Sequence, residues 1–242
     1  MRIAVLADIH SNLAALDAVL ADLATLPPVD GTWALGDIVG YGPQPNEVVE
    51  RLRSMDASAV MGNHDGAAVG VVDTAWFNPA AAAAIAWTVQ ALSLESRTYL
   101  AALPLRREEG ELTAVHGSPR DPIWEYISSP SVAAANLDAF STRACLFGHT
   151  HHPTLLAIDA EVRVLSAEPG APRPLPAGRL MLNPGSAGQP RDGDPRAGYL
   201  VLDTSAWTAE FRRVPYDLAR TQALMREARL PGWLVERLTY GR

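Results

Sequence analysis

The first part of the chain alternates short apolar runs with segments of helical periodicity. The apolar run 3–7 has the length of a buried strand, and leucines three or four positions apart follow it over 13–23. The same order recurs as a strand-like run at 33–35, a helical segment over 47–52 and a further strand-like run at 59–61. We interpret this alternation as βα units, which predict a largely parallel sheet.

The second half of the chain is rich in strand-like runs. An Asn-Pro pair predicts the start of a helix over 79–91, and a second helix follows over 94–102. Short apolar runs typical of strands then occur at 112–115, 144–147, 154–158, 162–165, 180–182, 199–202 and 208–214. The Pro- and Gly-dense stretch 168–178 predicts a surface loop, and an amphipathic helix over 218–229 is predicted to close the chain.

Composition narrows the class of protein. A chain of 242 residues, 48% hydrophobic and 19% charged, indicates one soluble globular domain over 1–242. The single cysteine, Cys145, excludes a disulfide framework and favours a reducing cytoplasm. All 20 basic residues are arginine, which excludes enzymes that need a lysine in a P-loop, a Schiff base or a kinase strand.

Charge and hydropathy exclude two classes of partner. The net charge of -7 offers no clustered positive surface for a long nucleic acid. The segment 1–8 reaches an acidic residue too early for a secretory signal peptide. The charge-free stretch 74–94 contains Asn78, Pro79 and Gln90, so it is predicted as a buried or amphipathic helix and not a membrane span.

Acidic, histidine and asparagine side chains follow five of the apolar runs. The five segments are Asp8-Ile-His10, Gly36-Asp37, Gly62-Asn63-His64-Asp65, His116-Gly117 and Gly148-His149-Thr150-His151. In an open α/β sheet the carboxyl ends of the strands form the ligand crevice, so these segments are expected to converge. Each segment alone could cap a helix or organise a turn. Their joint occurrence predicts a metal site.

These five motifs, in this order, resemble the signature of the calcineurin-like metallophosphoesterase superfamily. The stretch Asn183-Pro184-Gly185-Ser186 and the short chain are similar to its small single-domain bacterial and archaeal phosphodiesterases. The resemblance implies an α/β fold, a four-layer α/β/β/α double β-sandwich with two metals between the sheets. It assigns Asp8, His10 and His151 to one metal, Asn63, His116 and His149 to the other, and Asp37 to both as a bridge.

The same resemblance implies the chemistry. Imidazole ligands suit two divalent transition-metal ions, with manganese expected first and iron, zinc, nickel or cobalt as alternatives. A hydroxide bridging the two metals would attack phosphorus. His64 is not a ligand in this assignment and would face the substrate as a catalytic residue. Asp65 either orients His64 or shapes the turn.

The second motif departs from the pattern of the protein serine/threonine phosphatases in this superfamily. Gly40 and Tyr41 stand where those enzymes carry an Asp that partners the catalytic histidine and an Arg that grips phosphate. A monoanionic diester needs less positive charge than a dianionic monoester, so the loss favours diesters. Arg191 is our candidate for a substrate phosphate contact, and a solvated, salt-bridged loop is the alternative.

Several other polar and aromatic residues receive structural interpretations. Asn12 is predicted as a helix cap. His152 is not predicted as a ligand, because in an extended segment its side chain would point away from that of His151. Trp76, Trp87 and Trp124 are interpreted as packing residues and not as the rim of a nucleobase pocket.

The expected function is therefore phosphodiester hydrolysis of small, nucleotide-like substrates. Phosphomonoester or dinucleoside polyphosphate hydrolysis is the alternative within enzymes. A non-catalytic scaffold is the alternative class, because the fold resembles that of a retromer subunit used for protein binding; such adaptation would be expected to erode His64 or the ligands, and both are intact. A homo-oligomer is compatible with the sequence, and no membrane partner is expected.

Overall fold

The computed structural model describes all 242 residues and contains two six-stranded sheets. The strands are Arg2–Leu6 (β1), Gly31–Ala34 (β2), Ser58–Ala59 (β3), Arg106–Glu109 (β4), Leu112–Val115 (β5), Ala144–Leu146 (β6), Pro153–Ile158 (β7), Val162–Leu165 (β8), Arg173–Pro174 (β9), Arg179–Pro184 (β10), Ala197–Asp203 (β11) and Thr208–Val214 (β12). The first sheet has the order β3-β2-β1-β11-β12-β9, and the second has the order β4-β5-β6-β10-β7-β8.

Helices cover the outer faces of the sheets. They are Leu13–Leu23 (α1), Pro45–Ser54 (α2), Asn63–Ala68 (α3), Pro79–Ala91 (α4), Leu94–Ala101 (α5), Pro130–Ala135 (α6), Leu218–Glu227 (α7) and Gly232–Tyr240 (α8). Helix α1 begins where the Asn12 side chain accepts the Ala15 N–H at 3.2 Å, which confirms the predicted cap. The Asn-Pro start of the helix over 79–91 is also confirmed.

Both sheets are mixed, so the prediction of a largely parallel sheet is wrong. Strands β1, β2 and β3 are parallel, whereas β11 pairs antiparallel with β1 and with β12. In the second sheet β5, β6 and β10 are parallel, and the outer strands are antiparallel. The βα alternation describes only the first 65 residues. The later strands follow one another directly and close the sheets by antiparallel pairing.

The two sheets pack face to face around a core of 19 buried residues. Alternate residues of β1, Ile3 and Val5, enter this core, and Leu6 faces the opposite side with α1 and α2. The side chains of β6 alternate in the same way: Leu146 faces the first sheet, and Cys145 faces α6. Burial on both faces explains why these strands are continuously apolar in the sequence. The result is a four-layer α/β/β/α sandwich.

Three elements differ from the sequence prediction. The chain does not close with the helix over 218–229, because α7 ends at Glu227 and α8 follows it. The stretch 168–178 is mostly exposed, as predicted for a loop, but it also contributes the two-residue strand β9. The highly charged β4 was not predicted and forms because it pairs with β5 at the sheet edge.

No helix of the structure is long and apolar enough to span a membrane. The charge-free stretch 74–94 instead forms a short 3₁₀ turn and the 13-residue helix α4.

Candidate metal centre

The five motif segments follow the carboxyl ends of five strands. Within the first sheet β1, β2 and β3 are parallel, and within the second sheet β5 and β6 are parallel, so each group ends at one edge. The side chains from these ends are nearly all buried. The positions of the five segments therefore agree with the prediction that their side chains converge.

Hydrogen bonds between the loops hold the acidic side chains in place. The N–H of His10 donates to the carbonyl of Asp37 at 2.9 Å, which joins the first two motifs. The N–H of His149 donates to Oδ2 of Asp8 at 3.1 Å, and the N–H of His64 donates to Oδ1 of Asp37 at 2.9 Å. Each carboxylate is thus oriented by the backbone of another motif.

The loops are held in a strained backbone conformation. Ten residues other than glycine have positive φ, and five of these ten are predicted metal ligands: Asp8 (54°), His10 (49°), Asp37 (51°), His149 (65°) and His151 (60°). Such a conformation costs on the order of 1–3 kcal/mol per residue and persists only where the surroundings impose it. Its concentration in these loops is typical of a functional site.

The seven predicted ligands fall into two adjoining groups. Donor atoms that all lie within 4.8 Å of one another form one group of Asp8, His10, Asp37 and His151, and another of Asp37, His116 and His149. Oδ1 of Asn63 joins the second group at 3.0 Å from Nε2 of His116. Oδ2 of Asp37 lies 3.6 Å from Nε2 of His10 and 3.4 Å from Nε2 of His116, so this single oxygen faces both groups.

The imidazole hydrogen bonds show that this donor set fits divalent metal ions. Nδ1 of His10 donates to the Val39 carbonyl at 3.1 Å, and Nδ1 of His151 donates to the Gln189 carbonyl at 2.5 Å. Both Nε2 atoms then carry lone pairs, and they face each other at 3.2 Å. Two lone pairs at this distance repel each other, whereas a shared cation attracts both. Oδ2 of Asp37 adds a carboxyl oxygen 3.6 Å from Nε2 of His10.

Burial raises the pKa values of the carboxyl groups in the cluster and lowers those of the imidazoles. Desolvation raises the pKa of Asp37 to about 8 and raises that of Asp8 well above its usual range. Desolvation also lowers the pKa of His116 to about 4, and it lowers the pKa values of His10 and His151 well below 6.5. The imidazoles are therefore neutral and available as ligands, and a bound cation would stabilise the ionised carboxylates.

His64 lies beside the cluster and does not join it. Its ring packs against the rings of His10, Tyr41 and Phe77 at centroid distances of 4.9, 4.4 and 4.8 Å. Its buried Nδ1 atom has no hydrogen-bond partner. Burial, followed by the positive charge of Arg191, lowers the pKa of His64 well below its usual value. His64 is therefore a neutral imidazole at neutral pH.

Asp65 shapes the turn that carries Asn63 and His64. Its two carboxylate oxygens accept hydrogen bonds from the N–H groups of Val39 and Gly62, each at 3.0 Å. Because Nδ1 of His64 has no partner, no hydrogen bond from Asp65 orients that ring. Of the two roles considered for Asp65, these contacts favour the turn.

Arg191 lies near the centre and is free of the ion pairs in its own loop. Its Nη2 donates to Oε1 of Gln189 at 2.9 Å, and its guanidinium carbon lies 5.8 Å from the centroid of the Tyr41 ring. The ion pairs of this loop join Arg196 to Asp194 and Arg213 to Asp192. The positive charge of Arg191 also lowers the pKa of Asp37 against the larger effect of burial.

Two residues near the centre were missed from the sequence. Tyr126 stacks on His149 with a centroid distance of 3.8 Å and an interplanar angle of 20°. Desolvation, followed by the positive charge of Arg191, lowers the pKa of Arg237 on α8 to about 10. Neither residue belongs to a motif or follows a buried strand, so no local signal marked them.

The other residues considered from the sequence lie outside the cluster. His152 is exposed, whereas His151 is 1% exposed, as expected for neighbours that point apart. Trp76 is 83% exposed, so of the two packing roles predicted for it, in the core or at an interface, the core is excluded. Trp87 packs against the cluster that α4 forms with α7 and α8, and Trp124 makes an edge contact with Phe77 at 5.7 Å.

The family model of the calcineurin-like phosphoesterase superfamily domain matches residues 1–206. The chain belongs to this superfamily. The resemblance drawn from the five motifs is thereby confirmed. Its members are phosphoesterases, and the cluster of buried Asp and His side chains in this chain is able to bind metal.

Two relatives match this superfamily member along its whole length. The uncharacterized protein MJ0912 of Methanocaldococcus jannaschii is 39% identical over 246 residues, covering 99% of this chain and 98% of that protein. The crystal structure of a metallophosphoesterase from Sphaerobacter thermophilus is 47% identical, covers 100% of both chains and has a TM-score of 0.90. The second similarity confirms the predicted four-layer fold.

A third similarity is local. The symmetrical bis(5'-nucleosyl)-tetraphosphatase of Pectobacterium atrosepticum is 40% identical over 60 residues, which cover 24% of this chain and 21% of that protein.

Proposed function

We propose that this chain is a binuclear metal-dependent phosphodiesterase that acts on small, nucleotide-like phosphoesters. The observation that carries the proposal is the position of Oδ2 of Asp37 between two groups of buried donor side chains. A carboxylate oxygen shared in this way supports two cations a few ångströms apart. In this proposal Asp8, His10 and His151 hold one ion, Asn63, His116 and His149 hold the other, and Asp37 holds both.

Two divalent ions, with manganese as the first candidate, would neutralise phosphate charge and lower the pKa of a water positioned for attack on phosphorus. The protein itself supplies the orientation of the ligands. The Val39, Leu35 and Gln189 carbonyls fix the Nδ1–H groups of three histidines, so every corresponding Nε2 lone pair points inward. The strained loops are held in this arrangement before any substrate arrives.

His64 is proposed to contact the substrate through Nε2. Its Nδ1 is buried against the backbone near Gly40 and has no acceptor, so the single proton of the neutral ring serves the substrate best on Nε2. From there it donates a hydrogen bond to an oxygen that gains negative charge as the ester bond breaks. The negative phosphate raises the pKa of the ring and moves it towards general-acid behaviour.

The surroundings of the phosphate favour a diester. Gly40 and Tyr41 supply neither the carboxylate nor the guanidinium that would accompany a dianionic monoester. Arg191 is proposed to contact a phosphate oxygen, because its guanidinium lies at the Tyr41 ring and is not neutralised by a carboxylate. One arginine beside two cations suits the single negative charge of a diester.

Dinucleoside polyphosphate hydrolysis is the second candidate function. The local identity of 40% with the symmetrical bis(5'-nucleosyl)-tetraphosphatase of Pectobacterium atrosepticum favours it, although this similarity covers only 24% of the chain. The substrate of that reaction carries several phosphates and two nucleosides. It would therefore need more positive charge beyond the metal centre than a simple diester.

The test compares bis-4-nitrophenyl phosphate with 4-nitrophenyl phosphate, using chelator-stripped protein with and without Mn²⁺. We expect manganese-dependent turnover that is faster on the diester. His64→Ala should lower kcat by ~10²-fold or more, the range for loss of a general acid. His152→Ala, which removes an exposed histidine outside the cluster, is the matched control. Faster monoester turnover would contradict the diester assignment, and inactivity with every divalent metal would favour a scaffold.

A further inference from the structure

A cavity of about 680 Å³ lies beside the metal centre. Its walls are the loop 126–130, one face of the hairpin formed by β7 and β8, and Thr150 and His152 of the segment around His151. Thr150, which lies between His149 and His151, is part of its lining. The volume is within the range of small-molecule sites, ~300–1,000 Å³.

Tyr126 joins the cavity to the centre. Its ring stacks on His149 at 3.8 Å and also lines the cavity, and it is 48% exposed. A molecule in the cavity would therefore be in contact with a side chain that covers a ligand histidine.

The lining contains no acidic residue and no arginine, and His152 is its only histidine. Ser128, Thr150 and Thr154 contribute hydroxyl groups, and Leu156 and Val164 contribute an apolar wall. No arginine lines the cavity, so it offers little to a phosphate. Hydroxyls beside apolar and aromatic surface instead suit a neutral ligand with ring faces and several hydrogen-bonding groups.

Thr150 has a free donor that can serve such a ligand. Its Oγ1 accepts hydrogen bonds from Nδ2 of Asn183 at 3.1 Å and from the N–H of His152 at 3.2 Å. Because both neighbours donate to it, its own hydroxyl hydrogen remains available for an outside acceptor. The Asn183 contact also fixes the position of this hydroxyl relative to the histidine loop.

The geometry points to a nucleoside-binding site in this cavity, which would hold the sugar and base of a substrate while its phosphate lies at the metal centre. The inference rests on the proposed phosphoesterase function and names the organic group that the enzyme selects. A nucleoside supplies an aromatic face for Tyr126, acceptors for Thr150 and a neutral charge that matches the lining. An alkyl ester would offer no acceptor to the free hydroxyl hydrogen of Thr150.

The test fills the cavity from its outer wall. Val164 is 65% exposed on β8, and Val164→Trp places an indole into the cavity without removing a buried group. Arg163→Trp is the matched control, because neighbouring strand residues point to opposite faces and Arg163 does not line the cavity. The two substrates are thymidine 5'-(4-nitrophenyl phosphate) and methyl 4-nitrophenyl phosphate, which share the leaving group and differ only in the nucleoside.

We expect Val164→Trp to raise the ratio of the KM for the nucleoside diester to the KM for the methyl diester at least tenfold, with no change in Arg163→Trp. An unchanged ratio would overturn the assignment. An equal rise in both KM values would assign the cavity to the shared aryl group and would also overturn it.

A binding measurement separates this inference from the proposed function. If no variant hydrolyses either diester, the proposed function fails, and calorimetric titration with thymidine 5'-monophosphate decides on the cavity. Tenfold weaker binding to Val164→Trp than to Arg163→Trp supports the nucleoside site. Equal affinity for the two variants, or no binding to the unsubstituted protein, overturns it.

Discussion

A Cβ atom added to Gly40 would lie 2.5 Å from Nδ1 of His64, which is closer than Cβ atoms come to non-bonded heavy atoms in proteins. Gly40 has a φ of +88°, so its backbone also adopts a conformation that disfavours other residues. The protein serine/threonine phosphatases of this superfamily carry a carboxylate partner of the histidine at this position, whereas here the His64 ring occupies the space beside the Gly40 backbone. The His64 ring is held by contacts with Tyr41 and Phe77 instead of by a hydrogen bond.

Gly40→Ala is therefore expected to lower activity through His64. Gly193→Ala is the matched control, because Gly193 has a φ of +89° and nothing lies within 4 Å of its added Cβ. Backbone strain should lower the free energy of unfolding by ~1 kcal/mol in both variants, and the contact with His64 should add to this cost in Gly40→Ala. Only Gly40→Ala should reduce kcat on bis-4-nitrophenyl phosphate, by more than tenfold. Equal kcat values for the two variants would show that the position of His64 does not depend on Gly40.

The adjacent histidines His151 and His152 allow a matched test of metal binding. Mn²⁺ at a hundredfold excess over its Kd should stabilise the chelator-stripped protein by ~2.7 kcal/mol. For a domain of this size that corresponds to a rise in Tm of roughly 5–11 °C. His151→Ala should lose most of this rise and bind less metal by elemental analysis, whereas His152→Ala should keep both. Unchanged metal content in His151→Ala would remove it from the ligand set.

Asn183 is expected to position the loop that carries His149 and His151. Its Nδ2 donates to the Gly148 carbonyl at 2.7 Å, so Asn183→Asp would bring two oxygens together. Mn²⁺ affinity should fall about 10- to 100-fold, as is typical when a group that orients metal ligands is lost.

Asn46 provides the control for this substitution. Its Nδ2 donates to the Ala91 carbonyl and its Oδ1 accepts the Ser93 N–H, both at 2.8 Å and away from the centre. Asn46→Asp should lower the free energy of unfolding with no effect on Mn²⁺ affinity measured by calorimetry. If both variants weaken metal binding equally, the effect is a general loss of stability.

Asp22 should make the stability of the protein depend on acid pH. It accepts two hydrogen bonds from Arg212, at 2.7 and 2.9 Å, and one from Tyr199 at 2.6 Å. The Arg212 hydrogen bonds hold the pKa of Asp22 below its usual value. Since the folded pKa is depressed, the stabilisation is fully present above pH ~4 and is lost as the pH falls through the folded pKa.

Asp22→Asn should accordingly lower the free energy of unfolding by ~2 kcal/mol at pH 7, the range for hydrogen bonds to a charged group. The difference from the unsubstituted protein should shrink as the pH falls below 4. Asp17→Asn on the same helix removes a half-exposed ion pair with Arg51 and should cost less than ~1 kcal/mol. Denaturant unfolding at pH 3 to 7 measures both, and a pH-independent effect of Asp22→Asn would contradict the assignment.

Those parts of the fold that carry a local pattern could be predicted from the sequence. The strands over 112–115, 162–165 and 208–214 and the helix over 79–91 have the predicted bounds, because apolar runs and an Asn-Pro cap mark them. No local sequence pattern marks which strands pair or in which direction. Strands β1 and β11 are far apart in the sequence, so the periodicity within either strand cannot reveal that they form an antiparallel pair.

The candidate site divides in the same way. The residues proposed as ligands follow strand ends, and this position together with their order made them visible in the sequence. Tyr126 contacts His149 from an irregular loop, and Arg237, whose pKa responds to the charge of Arg191, lies on a helix near the end of the chain. Their proximity depends on tertiary packing between segments far apart in sequence, so only the structure could identify them.

The pairing of β1 with β11 also has a consequence for biosynthesis. A ribosome has completed every residue of the proposed metal centre once His151 is made, yet the strand that flanks β1 begins only at Ala197. Until that strand emerges, the edge of β1 is unpaired and the Asp8 loop lacks the Ser186 hydroxyl, which donates to its carbonyl at 2.7 Å. The nascent chain therefore carries all its proposed ligands before it has the frame that holds them, and stable metal capture must await the last quarter of synthesis.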